Sequence, residues 1–96
     1  MKRSHAIELL QQSKEILAAR FGVARLALLG STARDSARED SDIDILVAFY
    51  GPATSQSFFG VQFYLEDLFS CPVDLVSEKA LRPELRPFIE RDAIHV

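Results

Sequence analysis

The apolar residues at the beginning of the chain recur at the spacing of a helix. Six positions, five of them apolar, fall at i, i+3, i+4, i+7, i+10 and i+11: Ala6, Leu9, Leu10, Ser13, Ile16 and Leu17. Such a stripe is typical of an amphipathic helix that packs one face against a core. Gly22 follows, and glycine commonly ends a helix. The pattern therefore predicts a first helix over residues 4–20.

Three short runs of mostly apolar residues predict the strands of a sheet. They cover residues 23–29, 42–49 and 72–76. The first run is apolar at nearly every position, which is typical of a strand that is buried on both faces. Residues 93–96 predict a further, terminal edge strand.

Helices are predicted between these runs. A short polar helix is predicted over residues 32–37, and residues 38–41 have the composition of a turn. Apolar residues at helical spacing predict a longer helix over residues 57–69.

Two prolines restrict the last helix. Pro83 and Pro87 predict a loose turn over residues 81–86 and a helix over residues 87–91, because an interior proline lacks a donor and clashes. The order of elements predicts a small mixed α/β domain, in which helices flank a three- or four-stranded sheet.

Length and composition fit a single domain over residues 1–96. Hydrophobic residues make up 48% of the chain, which excludes an intrinsically disordered protein. The net charge of −3 argues against direct nucleic-acid binding, which needs a basic surface. No apolar run approaches the roughly 18 residues of a membrane span, and the lone Cys71 excludes an internal disulfide. We therefore expect a cytoplasmic protein that does not bind membranes.

The candidate chemistry begins at Gly30-Ser31, where the first predicted strand ends. Glycine lets a ligand approach the backbone closely. Ser31 is placed to cap the helix that follows, where its hydroxyl and the free N–H groups can face an anion. Taken alone, such a pair is more often an ordinary turn than a phosphate site.

Two carboxylates stand at the head of the second predicted strand. Asp42 and Asp44 are two residues apart, so their side chains point to one face while Ile43 and Ile45 point to the other. Carboxylates this close repel each other unless a cation lies between them, and oxygen ligands suit Mg²⁺ or Mn²⁺. The alternative is a solvated, polar beginning of a strand.

A third aspartate interrupts the third predicted strand. Asp74 lies between Val73 and Leu75, where a buried carboxylate without a partner is costly. If this strand lies beside the second one, Asp74 can complete a cluster of three carboxylates. Otherwise it is a charge on an edge strand that faces water.

Together these residues resemble the nucleotidyltransferase superfamily that includes DNA polymerase β. The pattern is Gly30-Ser31, ten intervening residues, Asp42-Ile43-Asp44, and Asp74 in a later strand. More narrowly, the chain is similar to the minimal, MNT-type nucleotidyltransferases, which are the antitoxin partners of HEPN-domain toxins. The resemblance covers essentially the whole chain and implies the nucleotidyltransferase fold.

The resemblance implies a role for each of these residues. Gly30 and Ser31 would hold the β- and γ-phosphates of a nucleoside triphosphate. Asp42 and Asp44 would bind Mg²⁺, and Asp74 would complete the metal site and help to deprotonate the attacking hydroxyl. Family members transfer AMP from ATP to a tyrosine of the HEPN toxin, which neutralises it. A hetero-oligomer with such a toxin is therefore expected.

The stretch after the glycine also follows the family. Its Gly-Ser-x-Ala-Arg-Gly pattern matches here at Gly30-Ser31-Thr32-Ala33-Arg34 and departs from it at Asp35. Arg34 would contact phosphate oxygens. Asp35 tolerates the left-handed conformation in which the family uses glycine, but it puts a negative charge near the expected phosphate site.

Two other functions are compatible with the sequence. The chain can neutralise a toxin by binding and occluding it, with a weak nucleotide site. It can also transfer a nucleotidyl group to a small molecule, although relatives that do so generally carry added helices around the acceptor.

Overall fold

A computed structural model describes residues 1–36, 38 and 42–96. Its elements in chain order are α1 (Arg3–Phe21), β1 (Val23–Leu29), α2 (Gly30–Ala33), β2 (Ile43–Phe49), α3 (Ser55–Phe69), β3 (Val73–Ser77), a 3₁₀ turn (Glu78–Ala80), α4 (Arg86–Asp92) and β4 (Ile94–His95). The predicted fold class is confirmed: helices flank a four-stranded mixed sheet.

The sheet has the strand order β3-β2-β1-β4. β1 pairs antiparallel with both β2 and β4, and β2 pairs parallel with β3. The terminal strand therefore lies at an edge, as predicted. Since α3 connects the two parallel strands, β2, α3 and β3 form a crossover unit.

The two faces of the sheet are covered by different helices. Along β2, Ile43, Ile45 and Val47 are fully buried in the core that α1 and α3 complete. Leu46 points to the opposite face, where it packs with Ala27 and Leu29 beneath α4. This alternation places Asp44, two residues before Leu46, on the α4 face.

α1 and α3 approach each other closely at a glycine. A Cβ atom on Gly60 would overlap the ring of Phe21, so a larger residue at position 60 would force this ring to move. α1 ends at Gly22 with φ +72°, as its sequence predicted.

α3 begins with a capping box and ends against the edge of the sheet. Thr54 Oγ1 accepts from Ser57 N, and Ser57 Oγ accepts from Thr54 N, both at 3.0 Å. Further along, Val73 N donates to Glu66 Oε2 at 3.1 Å, and Gln62 Nε2 donates to Val73 O at 3.2 Å. These contacts join the first residue of β3 to α3.

Several predicted bounds need correction. α3 begins at residue 55 instead of 57, because the capping box fixes its start. β2 begins at Ile43, so Asp42 precedes the strand. α2 begins at Gly30, and the predicted ends of this helix and of the following turn, at residues 37 and 39–41, lie outside the described residues.

One connection was not predicted. The 3₁₀ turn after β3 is joined to β1 by a two-point ion pair, Arg25 Nη2–Glu78 Oε1 at 2.7 Å and Arg25 Nε–Glu78 Oε2 at 3.3 Å. Among the described residues, no helix combines the length and apolar character needed to cross a membrane.

Candidate active site

An open pocket of about 340 Å³ lies where β1 ends and β2 and β3 begin. Its lining consists of Leu29, Gly30, Arg34, Asp44, Asp74, Val76, Phe88, Ile89 and Asp92. Four of these residues were predicted from the sequence as site residues. They come from three separate parts of the chain, which the strand order brings together.

Asp44 and Asp74 are direct neighbours across the parallel strands β2 and β3. Asp44 is half-buried and Asp74 is exposed. Burial raises the pKa of Asp44, and the charge of Asp74 and a hydrogen bond between the two carboxyl groups raise it further. Carboxylates held this close together are well suited to bind a divalent cation, which would neutralise their charge.

Glycine is required at position 30 by its backbone conformation and by its contact with Asp44. Its φ of +67° is a conformation that favours glycine, and a Cβ atom there would overlap Asp44 Oδ2. The same glycine turns the chain directly into α2, with Leu29 as the N-cap residue. Ser31 therefore lies inside α2, and the prediction that it caps this helix is wrong.

Arg34 supplies the positive charge of the pocket. Its Nη1 lies 3.5 Å from Asp92 Oδ2, at the end of α4. The guanidinium also acts on Asp44, where it opposes the rise in pKa that burial and Asp74 cause. Arg34 thus stands between two carboxylates, with about half of its side chain exposed.

Asp35 adopts the left-handed conformation that its position requires, with φ +59°. Its Oδ1 accepts from the backbone N–H of Arg3 at 3.1 Å, at the first residue of α1. The N-terminal end of a helix favours a negative charge. Its carboxylate thus binds the beginning of α1 and is not among the residues that line the pocket, and the expected effect of its charge on phosphate binding stays a prediction.

Two other predicted site residues lie beside the pocket. Ser31 is half-buried in α2, and Asp42 is exposed just before β2. Asp42 is still near enough for its charge to raise the pKa of Asp44. Within the described part of the chain, no three His, Cys, Asp or Glu side chains surround one point as metal ligands do. The metal role of Asp42, Asp44 and Asp74 therefore stays a prediction.

The sequence reasoning missed the contribution of α4. Phe88, Ile89 and Asp92 of α4 line the pocket together with the carboxylate pair. Phe88 and Ile89 precede Asp92 by four and three residues, so both lie on the helix face that Asp92 occupies, and this spacing was the available signal.

Comparisons with known proteins identify the family of this chain. The family model described as "Nucleotidyltransferase domain" matches residues 10–96. A Methanocaldococcus jannaschii protein named "Putative protein adenylyltransferase MJ0128" is 41% identical over 90 residues, covering 93% of this chain and 92% of the relative. The protein adenylyltransferase MntA of Thermococcus cleftensis is 36% identical over 88 residues, covering 92% and 89% of the two chains.

Solved structures share the fold. A structure described as a "putative minimal nucleotidyltransferase" matches with a TM-score of 0.81 and 39% identity, covering 98% of this chain and 95% of that one. The tri-AMPylated Shewanella oneidensis HEPN toxin in complex with MNT antitoxin matches with a TM-score of 0.61 and 18% identity, covering 97% and 66%. Since the family model and the sequence relatives span nearly the whole chain, the chain belongs to the nucleotidyltransferase domain family, among its minimal members.

Proposed function

We propose that this chain is a Mg²⁺-dependent protein adenylyltransferase, which moves AMP from ATP to a tyrosine hydroxyl of a partner HEPN toxin and so neutralises it. The observation that carries the proposal is the pairing of Asp44 and Asp74 in a pocket that also contains Gly30 and Arg34. The name of the Thermococcus relative and the tri-AMPylated toxin in a related complex support AMP as the group and a HEPN protein as the acceptor.

The triphosphate is assigned to the end of the pocket where β1 ends. Arg34 and the backbone of Gly30-Ser31 would hold the β- and γ-phosphates there. The Arg34 guanidinium rests against Asp92 at 3.5 Å. A phosphate group, which Arg can contact through two parallel bonds, would replace Asp92 as the stronger partner.

The metal is assigned to Asp42, Asp44 and Asp74. The donor set fits Mg²⁺, because it consists of carboxylate oxygens. Burial raises the pKa of Asp44, and the charges of Asp74 and Asp42 raise it further, so a cation placed among the three carboxylates would relieve their repulsion. When bound, Mg²⁺ neutralises the triphosphate and polarises the α-phosphorus. The protein contributes the placement of the carboxylates at the beginnings of two neighbouring strands.

Asp74 is assigned as the base that accepts the proton of the attacking tyrosine hydroxyl. This carboxylate is exposed and belongs to an edge strand, so an acceptor can reach it from solvent. The tyrosine oxygen forms a bond to the α-phosphorus while the bond from that phosphorus to the bridging oxygen breaks. The proton passes to Asp74, pyrophosphate leaves with the bonding electrons, and AMP stays on the tyrosine.

Intact-mass analysis tests this proposal. The chain is incubated with ATP, Mg²⁺ and the HEPN protein encoded beside it, and we expect the partner to gain mass in steps of one AMP. EDTA or Asp44→Asn should abolish the gain. Asp67→Asn, which changes an exposed carboxylate of α3 outside the pocket, should leave the gain unchanged.

The other outcomes are also informative. A stable complex without any mass gain would support neutralisation by occlusion and contradict the proposed transfer. AMP transfer by Asp44→Asn at the wild-type rate would show that the carboxylate pair is not the reacting site.

A further inference from the structure

The wall of the pocket formed by α4 carries an exposed apolar strip. Phe88 lines the pocket together with Asp74 and Val76, yet 66% of its surface is exposed. Leu85, three residues earlier, is 46% exposed and lies outside the pocket lining. Residues three apart in a helical segment share a face. The strip Leu85–Phe88 therefore begins inside the pocket and continues onto the surface beside it.

The direction of α4 separates the two ends of the pocket. α4 follows β3 and the 3₁₀ turn, and it leads into β4, which pairs with β1. Its last residue, Asp92, contacts Arg34, which follows β1. Phe88 lies one helical turn earlier, closer to the start of α4, where Arg86 Nη2 donates to the carbonyl oxygen of Glu78 in the 3₁₀ turn that follows β3. Phe88 thus lines the same pocket as Asp74, one helical turn before the residue that contacts Arg34 at the phosphate end.

This arrangement fits a protein segment better than a nucleobase. A base needs one flat surface inside the pocket, whereas an approaching chain also needs apolar surface outside it. Leu85 supplies that outer surface. Exposed apolar side chains that adjoin a pocket commonly mark the place where a partner docks.

We propose that Leu85 and Phe88 bind the tyrosine-bearing segment of the protein acceptor, with the Phe88 ring against the acceptor ring, so that the acceptor hydroxyl reaches Asp74. This inference rests on the proposed function and names the part of the molecule that selects its protein substrate. Aromatic pairs of this kind prefer stacked or edge-to-face contact.

Kinetics with Phe88→Ala test the assignment. The initial rate of AMP transfer is measured against the concentration of the HEPN partner, and the affinity for a non-hydrolysable ATP analogue with Mg²⁺ is measured by calorimetry on the chain alone. We expect the KM for the partner to rise about tenfold, with the affinity for the analogue unchanged within about twofold. Phe88→Trp, which keeps an aromatic ring, should restore most of the loss.

Phe63→Ala is the matched control. Phe63 is 62% exposed, nearly as much as Phe88, but it lies on α3 and outside the pocket lining. We expect its KM for the partner to match the wild type. Thermal unfolding of all variants checks that the fold is retained. We expect it to be retained, because both rings are largely exposed.

Three results would overturn the inference. An unchanged KM for the partner in Phe88→Ala would show that Phe88 does not contact the acceptor. A loss of affinity for the ATP analogue as large as the rise in KM would show that Phe88 binds the nucleobase instead. A raised KM in Phe63→Ala alone would move the docking surface to α3. Failure of the proposed function gives a different result, because the wild type itself then transfers no AMP to the partner. In that case the inference about the acceptor is contradicted as well.

Discussion

The Asp44 carboxyl group opposes folding at neutral pH, because burial and Asp74 raise its pKa above the ordinary value of 3.8. Between the unfolded and the folded pKa, the folded chain binds more protons than the unfolded chain. The free energy of unfolding therefore falls as the pH rises. The stability that protonation of Asp44 adds is fully present below about pH 3.8, and it is lost as the pH rises through the pKa of Asp44 in the folded chain.

Asp44→Asn should therefore be more stable than the wild type at pH 7 in EDTA, and the difference should shrink toward zero as the pH falls to about 4. Urea unfolding of both proteins between pH 4 and pH 7 measures this. Asp42→Asn is the control, since Asp42 is exposed and should show a smaller effect. A stability difference that does not depend on pH would contradict the raised pKa of Asp44.

Gly30 and Gly22 offer a matched pair of substitutions. Both have a positive φ, +67° and +72°, but an added Cβ overlaps Asp44 Oδ2 at position 30 and meets nothing within 4 Å at position 22. We expect both alanine variants to lose about 1–2 kcal/mol of stability from backbone strain. Only Gly30→Ala should also lose AMP transfer, because it displaces Asp44.

Urea unfolding and the mass assay together check this prediction. Equal transfer activity in the two variants would show that the contact between Gly30 and Asp44 has no functional role.

Site residues could be predicted from the sequence where a residue type is unusual for its surroundings. Asp74 stood out because it interrupts an apolar strand, and Asp44 because it repeats Asp42 at strand spacing. Asp92 and Phe88 were not found, because an acidic or aromatic residue on a surface helix is ordinary. Their importance comes from what α4 faces, and that depends on contacts between segments distant in the chain.

At the scale of elements, the start of α3 depends on its capping box. Thr54 and Ser57 satisfy each other's backbone N–H groups, which would otherwise lack partners at the helix start. We expect Thr54→Ala to cost about 1 kcal/mol of stability, within the usual range for an N-cap. Urea unfolding measures the loss.

Ser55→Ala is the control for this prediction, because Ser55 is exposed and lies outside the capping box. A Thr54→Ala variant as stable as Ser55→Ala would mean that water replaces the cap at no cost.

The helices and strands were predicted well where periodicity is long, and less well at their ends. α1 and α3 carry several turns of apolar spacing, which fixes their existence. Their ends depend on single contacts, such as the capping box at Thr54. The 3₁₀ turn at Glu78–Ala80 has no periodicity of its own, and it is joined to a distant strand by Arg25.

At the scale of the whole molecule, divalent cations should stabilise the chain. A ligand that binds only the folded state adds about 1.4 kcal/mol at ten times its dissociation constant. For a domain of this size we expect a rise in Tm of about 5–10 °C with Mg²⁺. EDTA should reverse the rise, and Asp44→Asn should not show it.

Thermal unfolding with and without Mg²⁺ measures this effect in the absence of any partner. An equal rise in Asp44→Asn would place the bound cation elsewhere on the acidic surface.

The order of the strands could not be read from periodicity. Alternation along β2 shows which residues share a face, but it does not show that β3 is the neighbour of β2 or that the two are parallel. That arrangement brings Asp44 and Asp74 together, and it was expected only through the resemblance to the nucleotidyltransferases.

The contacts of Gln62 and Glu66 with Val73 have a consequence for aggregation. An edge strand with free N–H and C=O groups is a template on which strands of other molecules can add, and this is a common route to fibres. Both backbone groups of Val73 are already bonded to α3. Val73, the residue before Asp74, therefore cannot pair with a strand of another molecule. The pocket can stay open to solvent at this edge of the sheet while the beginning of β3 is protected from strand addition.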